Sequence, residues 1–389
     1  MTSFHKLARE EQLGRYRLIA RLGRGGMAEV FLARLVGAGG FEKLVAIKRM
    51  LPVLSGDPTF VAMFLREGRI AAQLDHPNIC HVYELDDADG TLYLAMEFLR
   101  GLPWSEVAPA VPDRPRAILA RFVVGAIVQA CEGLHHAHTA AGADGQPRSV
   151  VHRDVSPSNL FVTYEGIVKL LDFGVSTVLS EATGVGRRKG KLPYMAPEQL
   201  RGEAVDVRAD LFALAVVTWE ALAGRALFDR SSDYDTMMAV HQTAIPALPG
   251  DDAATLRLDA VLRRALARDR TQRHGSAREL AHDLRQAIAA HGEPMASSEI
   301  QAHVATWLAP SLSRRSRDLV ELVARRPPPD VATEPMPGDA TDEHTAVHSP
   351  APVAGVRLRD ASVVVDADVI ETEAPTETVG AGRAPTITG

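Results

Sequence analysis

Over its first hundred positions the chain places apolar residues in short, nearly alternating runs separated by glycine. The segments YRLIARLG, AEVFLARL and KLVAIKRM read as β-strands on that pattern. TFVAMFLREGRIAAQL then carries a helical stripe, and CHVYELDD and LYLAMEFL return to the strand pattern. Past Gly101 the texture turns helical, with the long apolar runs AILARFVVGAIVQACEGLHHAH and DLFALAVVTWEALAG. The pattern predicts an α+β protein with a small β-rich lobe followed by a larger α-helical lobe. Its natural ligand site is the cleft between the two.

Four zones separate along the chain. Residues 1–15 read as an N-terminal extension and 16–290 as the two-lobed domain. Residues 291–325 read as appended helix. There Ile300, Val304, Trp307 and Leu308 share a face behind a Ser298 cap, Pro310 breaks the run, and Leu312, Leu319, Leu322 and Val323 start a second stripe. From Arg326 onward the chain has nine Pro, eight Thr, no aromatic residue and eleven Asp/Glu against four Arg, the profile of a disordered acidic tail. The region 291–389 is the expected place for a protein partner.

Composition narrows the classes. The tail carries a net charge of −7 against −6 for the whole chain, so the rest of the chain is about neutral and shows no nucleic-acid footprint. Two cysteines, Cys80 and Cys131, build no disulfide framework, which points to a reducing, cytoplasmic setting. MTSFHKLARE lacks the apolar core of a signal peptide, and no window approaches eighteen apolar residues, so no membrane anchor is expected. Only six Lys accompany thirty-seven Arg, so each Lys draws notice.

In LGRGGMAEVFLA, Gly23, Gly25 and Gly26 stand between two strands, where missing side chains let backbone N–H groups approach a phosphate. Taken singly, such a hairpin is common. Lys48 lies amid apolar strand residues, where burial is costly without anionic partners. Glu67, nineteen residues on, sits on the predicted helix. The decisive stretch is His152-Arg153-Asp154-Val155-Ser156-Pro157-Ser158-Asn159, followed by Leu171-Asp172-Phe173-Gly174 and Ala196-Pro197-Glu198. The spacing H-R-D-x-x-x-x-N arises by chance about once in 10⁵ positions. Asp154 can accept a proton from a hydroxyl, and Asn159 and Asp172 offer hard oxygens to Mg²⁺ ions that bridge phosphates.

With these motifs in order, the sequence resembles the eukaryotic-like protein kinases, most of all the soluble bacterial serine/threonine kinases of myxobacterial type, over about seventy percent of the chain. The resemblance implies the two-lobed kinase fold and Mg-dependent transfer of the ATP γ-phosphate to protein Ser/Thr hydroxyls, with autophosphorylation. ATP and Mg²⁺ are the implied cofactors, with Mn²⁺ as an alternative ion. It makes Asp154 the catalytic base, Lys48 the phosphate-holding partner of Glu67, and Asn159 and Asp172 the metal ligands. The implied ATP site comprises Leu22, Gly23, Arg24, Gly25, Gly26, Met27, Ala28, Glu29, Val30, Ala46, Lys48, Met96 as gatekeeper, the backbone of Glu97 and Leu99, and Leu160. Asp210 would support the catalytic loop, and Arg273 would pair with Glu198. Arg153 would pair with a phosphorylated activation segment, for which Ser180 and Thr183 are the candidate sites, aided by Arg187 or Arg188.

Three positions depart from the family pattern. Ala28 replaces the third glycine of the loop, Ser156 a usual lysine, and Lys191 a usual threonine that bonds the catalytic aspartate. The last two suggest an exchange, in which Lys191 supplies the cation near the transferred phosphate and Ser156 bonds Asp154 or Lys191. A pseudokinase scaffold and a small-molecule kinase of related fold are the competing readings.

Overall fold

In the computed structural model the described residues are 4–111, 114–142, 145–146, 148–173 and 191–324. The expectations for Ser180, Thr183, Arg187, Arg188 and the tail from Arg326 lie outside them. Strands β1 (His5–Leu13), β2 (Tyr16–Arg24), β3 (Ala28–Val36), β4 (Glu42–Met50), β5 (Val82–Ala88) and β6 (Thr91–Glu97) form one antiparallel sheet in the order β1-β2-β3-β4-β6-β5. The strand β1 was not expected, because HKLAREEQL carries little apolar alternation. It gains its place by pairing with β2 and burying Leu13.

Register sets the face that meets the cleft. Val30 lies opposite Lys48, Ala46 opposite Met96 and Lys48 opposite Leu94. Directly paired residues and alternate positions share a face, so these side chains point the same way. Helix α1 (Pro58–Ala71) starts at Asp57, whose carboxylate accepts from Thr59 N–H at 2.8 Å. It buries Met63, Phe64, Glu67 and Gly68. A Cβ on Gly68 would stand 2.9 Å from Leu85 Cδ2, so glycine lets α1 approach the sheet and carries Glu67 toward Lys48.

A second sheet, β7 (Gly101–Pro103), β8 (Leu160–Thr163) and β9 (Val168–Leu170), packs Leu102, Leu160, Val162, Val168 and Leu170 into the core of the helical lobe. The helical lobe contains α2 (Trp104–Val107), α3 (Arg116–His138), α4 (Pro197–Leu200), α5 (Arg208–Ala223), α6 (Asp233–Gln242), α7 (Ala253–Ala265) and α8 (Ala277–Ala287). Both α3 and α5 are buried on nearly every face, as helices apolar all round must be. Contrary to expectation, α3 is long and apolar enough to cross a membrane, but 72% of its apolar window is buried inside this fold.

The appended residues form α9 (Ser297–Trp307) and α10 (Ala309–Ala324). Ser298 is not the cap: Ala296 holds that position and donates its N–H to Glu299 Oε2 at 3.1 Å. Pro310 falls in the first turn of α10, where its missing N–H costs no helical bond. The apolar stripes of both helices are covered by the chain's own lobes: Ile300 and Val304 join the helical core, and Leu322 joins Ile19, Ala20 and Leu32.

Candidate active site

A cavity of about 360 Å³ opens between the lobes. Of the residues expected there, Leu22, Gly23, Val30, Ala46, Met96, Glu97 and Leu99 line it. Leu160 does not. It is buried in the helical core, and Phe161 lines the cavity with Leu171. Adjacent strand residues face opposite ways, so only one of Leu160 and Phe161 can face the cavity, and the packing of Leu160 in the core decides which. Cys80 was also missed. Its buried thiol lines the cavity and is pushed up from the ordinary range by desolvation.

The glycine-rich turn is built as expected but does not border this cavity at Arg24, Gly25, Gly26 or Met27. Gly25 N–H donates to Ala28 O at 2.8 Å, and Leu51 N–H donates to Met27 O at 3.0 Å, fixing the turn on β4. Ala28 and Glu29 are drawn away. Ala28 packs with Met50 and Phe64, and Glu29 accepts from Arg21 at 3.1 Å and from Arg49 at 3.4 Å.

Lys48 is buried, pairs with Glu67, and donates to Asp172 Oδ1 at 2.8 Å. Burial alone would lower its pKa, but the attraction of Asp172 and Glu67 prevails and raises it, so the ammonium stays charged. Asn159 Nδ2 donates both to Asp154 O, at 2.8 Å, and to Asp154 Oδ2, at 2.9 Å. Lys191 forms an ion pair with the same Oδ2. Ser156 bonds neither group of the expected exchange: its Oγ lies 3.1 Å from Ser158 Oγ.

The loop carrying Asp154 is strained and held. Arg153 and Asp172 have φ of 64° and 49°, the left-handed region that costs a non-glycine residue about 1–3 kcal/mol. Asp210 restrains the first: its carboxylate accepts from His152 N–H at 2.8 Å, Arg153 N–H at 2.7 Å and His138 Nε2 at 2.8 Å. Burial would raise the Asp210 carboxyl, but these hydrogen bonds bring it below its usual range. Desolvation holds His152 below the ordinary imidazole range. Its Nδ1 faces Asp154 N–H at 3.3 Å and its Nε2 faces Leu171 O at 3.0 Å, which selects the neutral Nε2–H tautomer.

Leu171 N–H also donates to Asn159 O at 2.9 Å, so Asn159 and Asp172 are brought side by side. Among the described residues no cluster of three His, Cys, Asp or Glu could cage a metal. One carboxylate and one amide oxygen suit Mg²⁺, which keeps waters and takes substrate phosphates as its remaining ligands. Arg273 and Glu198 meet as a fully buried bidentate pair at 2.7 and 2.9 Å, anchoring α4 beneath the site.

Comparison with known proteins agrees with this geometry. The chain is 43% identical over 287 residues to the tyrosine-protein kinase MasK of Myxococcus xanthus, covering 72% of this chain and 44% of that protein. It is 36% identical over 288 residues to the serine/threonine-protein kinase Pkn1 of the same species, covering 72% and 39%. It is 31% identical over 279 residues to the serine/threonine-protein kinase PrkC of Bacillus subtilis, covering 71% and 41%. The chain thus spans less than half the length of these curated relatives. The solved kinase domain of Mycobacterium tuberculosis PknI superposes with a TM-score of 0.53 at 30% identity, over 72% of this chain and 99% of that one. Residues 16–284 match the protein kinase domain family, and on that match, with the fold and the residues gathered at its cleft, the chain belongs to that family.

Proposed function

We propose that the protein is an active, Mg-dependent serine/threonine kinase. The observation that carries the reading is the joined set in the cleft: Lys48 held between Glu67 and Asp172, beside Asp154 fixed by Asn159 and Lys191. In this reading the adenine enters the cavity under Val30 and Ala46, above Phe161, and bonds the backbone of Glu97 and Leu99. Lys48 holds the α/β-phosphates, and Asn159 and Asp172 hold Mg²⁺. The ion, when bound, neutralises the charge of the transferring group. Asp154 takes the proton of the acceptor hydroxyl as its oxygen bonds the γ-phosphorus and the bond to ADP breaks. Lys191 orients Asp154 and keeps a cation near the transferred group. The presence together of Lys48, Glu67, Asp154, Asn159 and Asp172 favours this reading over a pseudokinase scaffold.

Serine/threonine specificity is supported by Pro157 in the catalytic loop and by the relatives PrkC and Pkn1. MasK, named a tyrosine-protein kinase, favours a second reading in which tyrosine is the acceptor. Incubation of the protein with Mg-ATP followed by phosphopeptide mass spectrometry decides. Phosphoserine and phosphothreonine are expected, including Ser180 or Thr183, and phosphotyrosine alone refutes the assignment. Phosphate on that segment would meet Arg153. Activity unchanged in Ser180→Ala/Thr183→Ala would refute that control.

A further inference from the structure

We propose that the appended helices α9 and α10 are a built part of the nucleotide site, a strap across both lobes that supplies the outer wall of the cavity through Arg315 and Leu319. The proposal rests on the nucleotide reading of the cleft given above. The cavity is lined not only by Leu22, Phe98 and Tyr164 but also by Phe4, Arg315 and Leu319, three residues outside the 16–284 stretch that matches the kinase family.

Each end of the strap is seated on a different lobe. On the helical side, α9 buries Ile300 and Val304, sets Trp307 at 4.9 Å from the Phe122 ring, and joins Glu299 to Arg121 at 2.8 Å. Gly166, at φ +76°, belongs to this seat: a Cβ there would lie 2.0 Å from Ser297 O. On the sheet side, Leu319 and Leu322 of α10 pack on Ile19, Ala20 and Leu32. Arg34, 3% exposed, donates Nη2 to Val323 O at 2.7 Å, satisfying a carbonyl of the last turn of α10. Between the two seats, Arg315 lies 3.6 Å from Glu106 Oε1 and 5.8 Å from the centre of the Phe4 ring. Leu319 and Phe4 therefore close the open side of the cavity with apolar surface, while Arg315 adds guanidinium donors to its rim.

Two consequences follow from this placement. A wall present only when α10 is docked makes nucleotide affinity depend on docking, and by linkage the nucleotide stabilises docking by the same factor. An element seated on both lobes also limits how far they can part, so release of α10 would loosen the cleft.

The test uses the full chain. Titration with the fluorescent nucleotide mant-ADP and Mg²⁺ compares the parent with Leu319→Glu and Arg315→Ala, and thermal melts verify folding. Loss of one apolar wall residue corresponds to roughly tenfold weaker binding or more in Leu319→Glu. A smaller loss is expected in Arg315→Ala. Hydrogen exchange on the unaltered parent needs no variant: Mg-ADP should slow exchange of the amides of 312–324 by more than those of α8. If the parent binds mant-ADP but Leu319→Glu binds equally well, or the α10 amides are slowed no more than those of α8, the strap is wrong and the nucleotide reading stands. If the parent binds no mant-ADP, the nucleotide reading itself fails and the strap falls with it.

Discussion

Replacing Lys191 by methionine removes the ammonium beside Asp154 and keeps the length of the side chain. Lys191 is 13% and Asp154 7% exposed at the side chain, so the pair is largely shielded from water. At an effective dielectric near 20 the Coulomb attraction of two charges about 4 Å apart is about 4 kcal/mol, and desolvation of both partners offsets part of it. The net worth of a hydrogen bond to a charged group is about 1.5–3 kcal/mol. If that energy orients the base in the transition state, the rate of transfer falls roughly 10- to 150-fold. Nucleotide affinity should stay within about threefold, because Lys191 does not line the cavity. Rapid-quench, single-turnover transfer from Mg-ATP, read beside mant-ADP affinity, separates the two quantities. The exchange variant Ser156→Lys/Lys191→Thr should recover most of the loss by returning the cation to the catalytic loop. A Lys191→Met protein that transfers phosphate at the parent rate refutes the argument, and so does an exchange variant no better than Lys191→Met.

Lys48→Met and Asp154→Asn should each lower phosphate transfer by about 10²-fold or more, and either one matching the parent would overturn the catalytic assignment. Arg273→Ala leaves Glu198 buried without its bidentate partner and should cost about 3–5 kcal/mol in chemical denaturation; a loss below about 1 kcal/mol would show the pair to be dispensable. His152 has its pKa lowered by burial, so below the unfolded value of about 6.5 the unfolded chain binds a proton that the folded chain refuses. Stability should therefore decline as pH falls from about 7.5 to 5.5, and a flat profile would contradict the buried neutral imidazole. Truncation after Arg326 should leave a folded, active protein, whereas truncation after Ala290 strips Ile300, Val304 and Trp307 from the helical core and should lower both solubility and stability; equal behaviour of the two would refute the distinction.

The sequence by itself determined the two-lobed plan and the chemical identity of the site. Alternating apolar runs can bury one face only as strands, the long uninterrupted runs in α3 and α5 can be buried only at a centre, and the spacing of His152, Asp154, Asn159 and Asp172 is a local property of two loops. What required tertiary structure was everything set by pairing between distant segments. Leu160 and Phe161 differ only in which way one strand faces, and that face was fixed by packing of β8 on the helical core. Ala28 and Glu29 left the cavity because Met50, Phe64, Arg21 and Arg49 offered them partners from other elements. His5–Leu13 became a strand because the edge of β2 supplied hydrogen bonds that its own pattern does not announce. The Ser156/Lys191 exchange put Lys191 at the transferred phosphate; the fold pairs Lys191 with Asp154, and a hydroxyl bonds whichever polar group geometry brings nearest, which for Ser156 is Ser158. The stripes of α9 and α10 announced a buried face without naming what covers it. Only the folded chain decided that they lie across its own two lobes, because apolar surface has no address until another surface of matching shape is brought to it.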